Sequence, residues 1–281
     1  MRPDSLAVIG LGAIGGSLAW QARLAGVPRV VGYSPIRAES VQALKAGGLT
    51  DIAESAEAAA REASLVILAA PPGATLELID RLGPALAPEA LLSDVTSVKA
   101  PVVARAVAAG LGDRFAGAHP LAGTHGSGWE FARPDRFRDG LVYVTATGSP
   151  NGDRTAGEIM HFWAEVLEAH PVLIDAAAHD RQLAWTSHLP QAVAFGLARV
   201  LAARELGGVS FGAGARDTTR LAGSNPDLWV DIFLLNGAAI VEALEQAEGE
   251  LRTMRELIVG GRREPLREFL ADAWAFRRTL E

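Results

Sequence analysis

The amino-acid sequence predicts an α/β domain built on a mostly parallel sheet, followed by an all-α domain. Three observations carry that expectation. Short apolar runs alternate with helix-like stretches through the first half, a glycine-rich turn directly follows the first run, and strand signal ceases after about Asp175. Strand and helix in alternation is the pattern of a parallel sheet covered on both faces. The division is expected at residues 1–174 and 175–281.

The strand-like runs are 6–9, 29–33, 65–69, 91–94, 115–118, 141–145 and 172–174. Ala-rich segments with apolar residues at helical spacing lie between several of them, at 16–25, 38–46 and 75–86. The second half reads as helices over 181–206, 228–245, 249–259 and 265–280, interrupted by a Gly-rich stretch at 207–214. No internal repeat or low-complexity tail is present, and no appended regulatory domain is expected.

Composition removes several classes of function. The 281 residues can enclose a sizeable core. Hydrophobic residues make up 49% of the chain, yet no apolar run approaches the ~18 residues a membrane span requires. The first run opens a glycine-rich turn rather than a cleavage site, so a cytoplasmic protein without a secretory signal is expected. The absence of cysteine excludes disulfides, thiolate metal sites and cysteine nucleophiles. A net charge of −7 argues against general nucleic-acid binding. An anionic substrate would therefore need a local cluster of Arg, Lys or His.

The first turn reads Gly10-Leu11-Gly12-Ala13-Ile14-Gly15, between a strand and a helix. Glycines there allow a tight turn and bring the backbone close to a dinucleotide pyrophosphate, which rests on the helix N-terminus. Gly10, Gly12, Ala13, Ile14 and Gly15 are therefore candidate cofactor contacts. At the end of the second strand an acid would hold the ribose 2′-hydroxyl and repel a 2′-phosphate. Ser34 stands where that acid is expected and Arg37 follows, which favours NADP over NAD; Arg37 can equally be a solvated first-turn residue. Ala70 and Pro71 end another strand and suit a backbone wall beside the nicotinamide ribose, although an ordinary strand exit looks the same. Asp94 and Ser97 end the next strand, at the cofactor and reaction centre or as caps of the following helix.

The segment Gly117-Ala118-His119-Pro120-Leu121-Ala122-Gly123-Thr124-His125 places a histidine at a strand end among small residues. Histidine titrates near neutrality and suits accepting a proton from a substrate hydroxyl as hydride leaves. In the helical half, His179-Asp180-Arg181 leads to Ser187-His188-Leu189-Pro190-Gln191, with Arg181 and His188 on approximately one helix face. Arg216 and Arg220 lie one turn apart, held for an anion or neutralised by Asp217 and Asp227. Pro226 marks a helix start just before Trp229. Nothing in the sequence offers a metal site.

Taken in order, GLGAIGG, DVTSVK, GAHPLAGTHGSG, HDRQLAWTSHLPQ and RDTTRLAGSNPDLW resemble the prephenate and arogenate dehydrogenase family over nearly the whole chain. The resemblance implies a Rossmann-type N-terminal domain, a helical domain that dimerises, and oxidation of a cyclohexadienol to a phenol in tyrosine biosynthesis. It makes His119 the catalytic histidine, Arg220 the partner of the ring carboxylate, and Ser97 a serine near the reacting hydroxyl. It puts His188, His125 and Gln191 around the substrate and Trp229 towards the partner subunit's site; Thr124, beside His125, and Arg216 are further candidate substrate contacts. Leu121, His125 and Gln191 depart from the common pattern, the last two near the substrate side chain. Prephenate is the expected substrate, with arogenate the alternative.

Rival readings stay open at this stage. A β-hydroxyacid dehydrogenase or a pyrroline-carboxylate reductase shares the two-part plan. The hydroxyacid class usually relies on a lysine in the helical half, whereas Lys45 and Lys99 are the only lysines here. A non-catalytic NAD(P)-binding protein is the third reading.

Overall fold

The computed structural model describes residues 2–123, 126, 128–203 and 211–280. Its N-terminal part is an eight-stranded sheet of order β3-β2-β1-β4-β5-β6-β7-β8. The strands are β1 (Ser5–Ile9), β2 (Arg29–Tyr33), β3 (Asp51–Ile52), β4 (Leu65–Leu68), β5 (Leu91–Asp94), β6 (Phe115–Pro120), β7 (Leu141–Thr145) and β8 (His170–Leu173). Every neighbouring pair is parallel except β6 and β7. The helices of this half are α1 (Ala13–Leu24), α2 (Arg37–Lys45), α3 (Ala56–Ala60), α4 (Pro72–Leu82), α5 (Ala100–Ala108) and α6 (Gly152–Glu165).

The sheet is central because its inner strands are apolar on both faces. Leu6 and Val8 of β1, with Leu65 and Ile67 of β4, enter one core cluster. The alternate residues Ala7, Ile9, Val66 and Leu68 enter the other, as a two-residue side-chain period requires. Near-continuous apolar runs are the mark of strands covered twice. Each fully buried Leu, Ile or Val among them contributes about 1.5–3 kcal/mol over an exposed position.

Among the described residues the rest of the chain is mainly helical: α7 (Ala176–Leu183), α8 (Leu189–Ala202), α9 (Ala213–Thr219), α10 (Pro226–Leu235), α11 (Gly237–Val259) and α12 (Arg263–Arg278). The side chain of Asp175 caps α7 by accepting from Ala178 N, and Asn225 caps α10 just before Pro226. A π-turn, Ala184–His188, joins α7 to α8. Pro190 has no N–H to donate and its ring crowds the carbonyl four residues back, so the widened turn relieves a proline inside a continuous helix.

Three local differences from expectation have simple causes. Two-residue β3 is too short for any periodicity to register. The last strand starts at His170, two residues early, and is an edge strand with exposed Val172 and Leu173. The π-turn inserts an extra residue between Arg181 and His188, which leaves Arg181 exposed and His188 fully buried rather than sharing a face. Among the described residues, no helix is long and apolar enough to cross a membrane.

Candidate active site

The strand order reverses between β1 and β4, and a cleft of about 360 Å3 opens at their C-terminal ends. This switch point is where open parallel sheets bind ligands. Gly10 leaves β1 at φ +98°, and a Cβ there would sit 2.3 Å from the Ala69 carbonyl oxygen at the end of β4. Gly15 packs beneath, where a Cβ would meet the Gly10 oxygen at 2.0 Å. Gly12 differs: it begins α1 and a Cβ would find its nearest neighbour only at 3.7 Å. Ala13 and Ile14 open α1, whose first-turn N–H groups have no intrahelical acceptor and form an anion-binding end. Gly10, Gly12, Ser34, Ala70 and Pro71 line the cleft. The donor set, the close backbone approach and the open face of Gly12 fit a dinucleotide.

Two cofactor candidates lie elsewhere. Arg37 is exposed on the first turn of α2 and does not line the cleft. Asp94 is fully buried, bound by the Lys99 ammonium and by the N–H and hydroxyl of Thr96. All three contacts fall on Oδ2, Oδ1 has no hydrogen-bond partner among the described residues, and the residue does not line the cleft. Glu39, not foreseen, lines the cleft and accepts a hydrogen bond from Ser34 Oγ at 2.6 Å.

Beyond the reversal point, β6 delivers His119 to a buried polar cluster. His119 Nδ1 lies 2.9 Å from His179 Nε2, and His179 Nδ1 lies 2.8 Å from Asp180 Oδ1. Asp180 also accepts from the backbone N–H groups of Lys99 at 2.7 Å and Ala100 at 2.8 Å, which caps α5 from the helical domain. Lys99 Nζ donates to the Ala118 carbonyl directly before His119. Burial first, then the neighbouring His179, Lys99 and His188, hold the His119 imidazole well below its ordinary pKa of 6.5. A neutral ring with an available lone pair is the form a proton acceptor needs.

His188 closes the cluster from the π-turn. Asn236 at the start of α11 donates its amide to the Asp180 carbonyl at 2.8 Å and to His188 Nδ1 at 3.1 Å. An amide nitrogen donates, so His188 Nδ1 accepts and its proton sits on Nε2. That Nε2 is buried without a hydrogen-bond partner among the described residues. Burial first, with His179 adding to it against the Asp180 charge, lowers His188 from 6.5 to about 4.

A family model described as the nucleotide-binding domain of prephenate dehydrogenase matches residues 18–172, and one described as the prephenate dehydrogenase dimerization domain matches residues 175–272. The chain belongs to the prephenate dehydrogenase family. It is 31% identical to the cyclohexadienyl dehydrogenase of Zymomonas mobilis over 98% of this chain and 96% of that one. It superposes on prephenate dehydrogenase from A. aeolicus, solved with hydroxyphenyl propionate and NAD+, with a TM-score of 0.89. Identity there is 29%, covering 99% of this chain and 98% of the other. The Synechocystis arogenate dehydrogenase gives a TM-score of 0.81 at 27% identity, covering 99% and 100%. Membership of the prephenate dehydrogenase family makes this chain a nicotinamide-dependent oxidoreductase and removes the hydroxyacid and reductase rivals.

In this prephenate dehydrogenase family member the remaining candidates lie on the loop after β5 and along the helical half. Ser97 is half-buried in the loop between β5 and α5, three residues beyond Asp94. Gln191 is buried and donates to the Leu221 carbonyl at 2.6 Å, tying α8 to the 3-10 turn that begins with Arg220. Arg220 is exposed there. Arg216 is exposed too, its guanidinium donating to the Phe211 carbonyl at 2.9 and 3.1 Å. Trp229 packs against His188 of its own chain, ring centroids 5.9 Å apart. Thr124 and His125 lie outside the described residues. Among the described residues no group of three or more His, Asp or Glu could hold a metal ion.

His179, Asp180, Asn236 and Lys99 had no role in the sequence reading. His179-Asp180 was visible as a dipeptide, but its partner His119 is 60 positions away.

Proposed function

We propose that the protein catalyses oxidative decarboxylation of prephenate to 4-hydroxyphenylpyruvate, with NAD+ as the oxidant, on the route to tyrosine. The observation that carries the reading is His119, buried at the end of β6 where burial opposes its protonation, in a chain of this family. Bound in the cleft, the nicotinamide supplies the hydride acceptor. His119 takes the hydroxyl proton as the ring carbon becomes a ketone. The ketone draws the electron pair of the ring carboxylate bond as carbon dioxide leaves, and His119 returns the proton to the resulting phenolate oxygen. Arg220 orients the ring carboxylate and Ser97 sits beside the reacting hydroxyl. Fixing reactants in line is worth on the order of 7 kcal/mol or more in favourable cases.

Two finer choices rest on single contacts. The Glu39 carboxylate at Ser34 supports NAD over NADP, because it can hold a ribose hydroxyl and repels a 2′-phosphate. The lean to NADP drawn from Ser34 and Arg37 is therefore reversed. The unspent N–H of His188 supports prephenate over arogenate, since it fits a keto-acid oxygen and opposes an ammonium group.

Residues 1–174 are the cofactor half, and residues 175–281 the half that holds substrate and a second copy. The dimer is supported by α11, which buries only Ile240 and Ala243, and by α12, which buries nothing. Two helices that long need an apolar partner surface to persist. The reaction belongs to the cytoplasm, with its nicotinamide pool.

The test is absorbance of reduced nicotinamide with prephenate or arogenate, each with NAD+ or NADP+. Prephenate with NAD+ should be strongest. Silence in all four combinations, from folded protein that binds nucleotide, would discard the assignment.

A further inference from the structure

We infer that His179, anchored by Asp180, is a positioning residue that fixes the tautomer of His119 and leaves His119 Nε2 as the proton acceptor. The inference rests on His119 being the base proposed above, and follows from counting protons along one chain of contacts.

Asp180 begins the chain. Its Oδ1 faces Lys99 N–H and His179 Nδ1, and its Oδ2 faces Ala100 N–H. Three donors surround two acceptor oxygens, so the proton between Asp180 and His179 belongs to His179 Nδ1. A neutral His179 then presents a bare Nε2. The nitrogen 2.9 Å away is His119 Nδ1, and one proton must lie between the two lone pairs. It therefore sits on His119 Nδ1, which leaves the lone pair on Nε2, the ring nitrogen not engaged by His179.

The arrangement is rigid as well as directional. The two rings meet edge to face, centroids 5.1 Å apart, and His179 also packs edge-on against Tyr143, the cross-strand neighbour of His119. Gln182, one helical turn beyond His179, binds the Tyr143 hydroxyl at 2.6 Å. His179 is wholly buried and has no access to bulk water to rotate freely. Because Asp180 also caps α5, the same carboxylate couples the seating of the helical domain to the orientation of the base.

The test combines imidazole-nitrogen NMR of the full-length protein with steady-state kinetics of His179→Leu and His179→Gln, the His119 signals being assigned by their loss in His119→Asn. The NMR needs no substrate, so its outcome stands apart from that of the dehydrogenase reading. In the parent protein the His119 proton should be on Nδ1; in His179→Leu it should move to Nε2, the form histidine favours in water. Turnover of prephenate by His179→Leu should fall on the order of a hundredfold, with KM and the NAD+ Kd changed by less than about twofold, the size expected for a misdirected base. His179→Gln, whose side-chain oxygen can accept from Nδ1, should recover part of the turnover. A parent spectrum with the His119 proton on Nε2 overturns the inference, whether or not the variants fold. So does unchanged turnover in His179→Leu, or a fall in turnover with the tautomer unmoved.

Discussion

The Lys99 ammonium and the Asp94 carboxylate, both wholly buried, form an ion pair directly behind the strand that carries His119. Burial lowers the Lys99 pKa from 10.5, and the charge of Asp94 and its hydrogen bond oppose that shift. Removing one partner strands the other charge in the core, a loss of about 3–5 kcal/mol. Lys99→Met should therefore show that loss in urea unfolding, and Lys99→Met with Asp94→Leu should regain most of it. Equal stability of Lys99→Met and the parent would show that the pair is not closed in solution.

Gly10 and Gly12 sit two residues apart but are glycine for different reasons. Gly10→Ala drives a Cβ to within 2.3 Å of a backbone oxygen at positive φ and should destabilise the fold by more than ~1 kcal/mol. Gly12→Ala has room for its methyl and should unfold like the parent, while NAD+ affinity falls because the methyl occupies the pyrophosphate approach. Calorimetric titration with NAD+ beside urea unfolding reads both. Undiminished NAD+ binding by Gly12→Ala would move the pyrophosphate elsewhere.

How much of this was legible in the sequence depends on how local each signal was. The inner strands were plain because Leu6–Ile9 and the run from Leu65 are apolar at every position, and the glycine turn between strand and helix marked the cleft. Asp94 read as a cofactor residue because Lys99, five positions on, could as well point outward; only the fold turns it inward. Glu39 did not stand out as a cleft residue because it lies in a helix, past the strand end where a cofactor acid is sought. Residue types gave His119, whereas its partner His179 required knowing that α7 docks against β6.

For Glu39, loss of the charge should relax cofactor choice. Glu39→Gln should raise the NADP+ to NAD+ ratio of kcat/KM by roughly tenfold, the effect of about 1.4 kcal/mol. An unchanged ratio would remove Glu39 from cofactor selection.

His119 and Arg220 should divide the kinetics between them. His119→Asn should lower kcat by on the order of a hundredfold or more with little change in KM. Arg220→Ala should mainly raise the KM for prephenate, by roughly tenfold to a hundredfold for a lost charge-assisted hydrogen bond of about 1.5–3 kcal/mol. The same fall in kcat from both variants, with KM untouched, would contradict the division.

His188 makes stability depend on pH. Unfolded, its ring protonates near 6.5, while burial holds the folded ring neutral down to about 4. The unfolded state therefore binds more protons between those values, and stability present above pH 6.5 should drain away as the pH falls towards 4. His119 acts in the same direction. His188→Gln should flatten the slope in urea titrations across that window. A parent whose stability is level there would contradict the buried, neutral assignment.

Oxidative decarboxylation is tested by the stoichiometry of reduced nicotinamide to carbon dioxide when the enzyme is given prephenate and NAD+. Because His119 and Arg220 are assigned to one coupled step, the two products should appear in equal amounts with no lag between them. Reduced nicotinamide without carbon dioxide, or neither product from folded enzyme that binds NAD+, would contradict oxidative decarboxylation of prephenate as this protein's reaction.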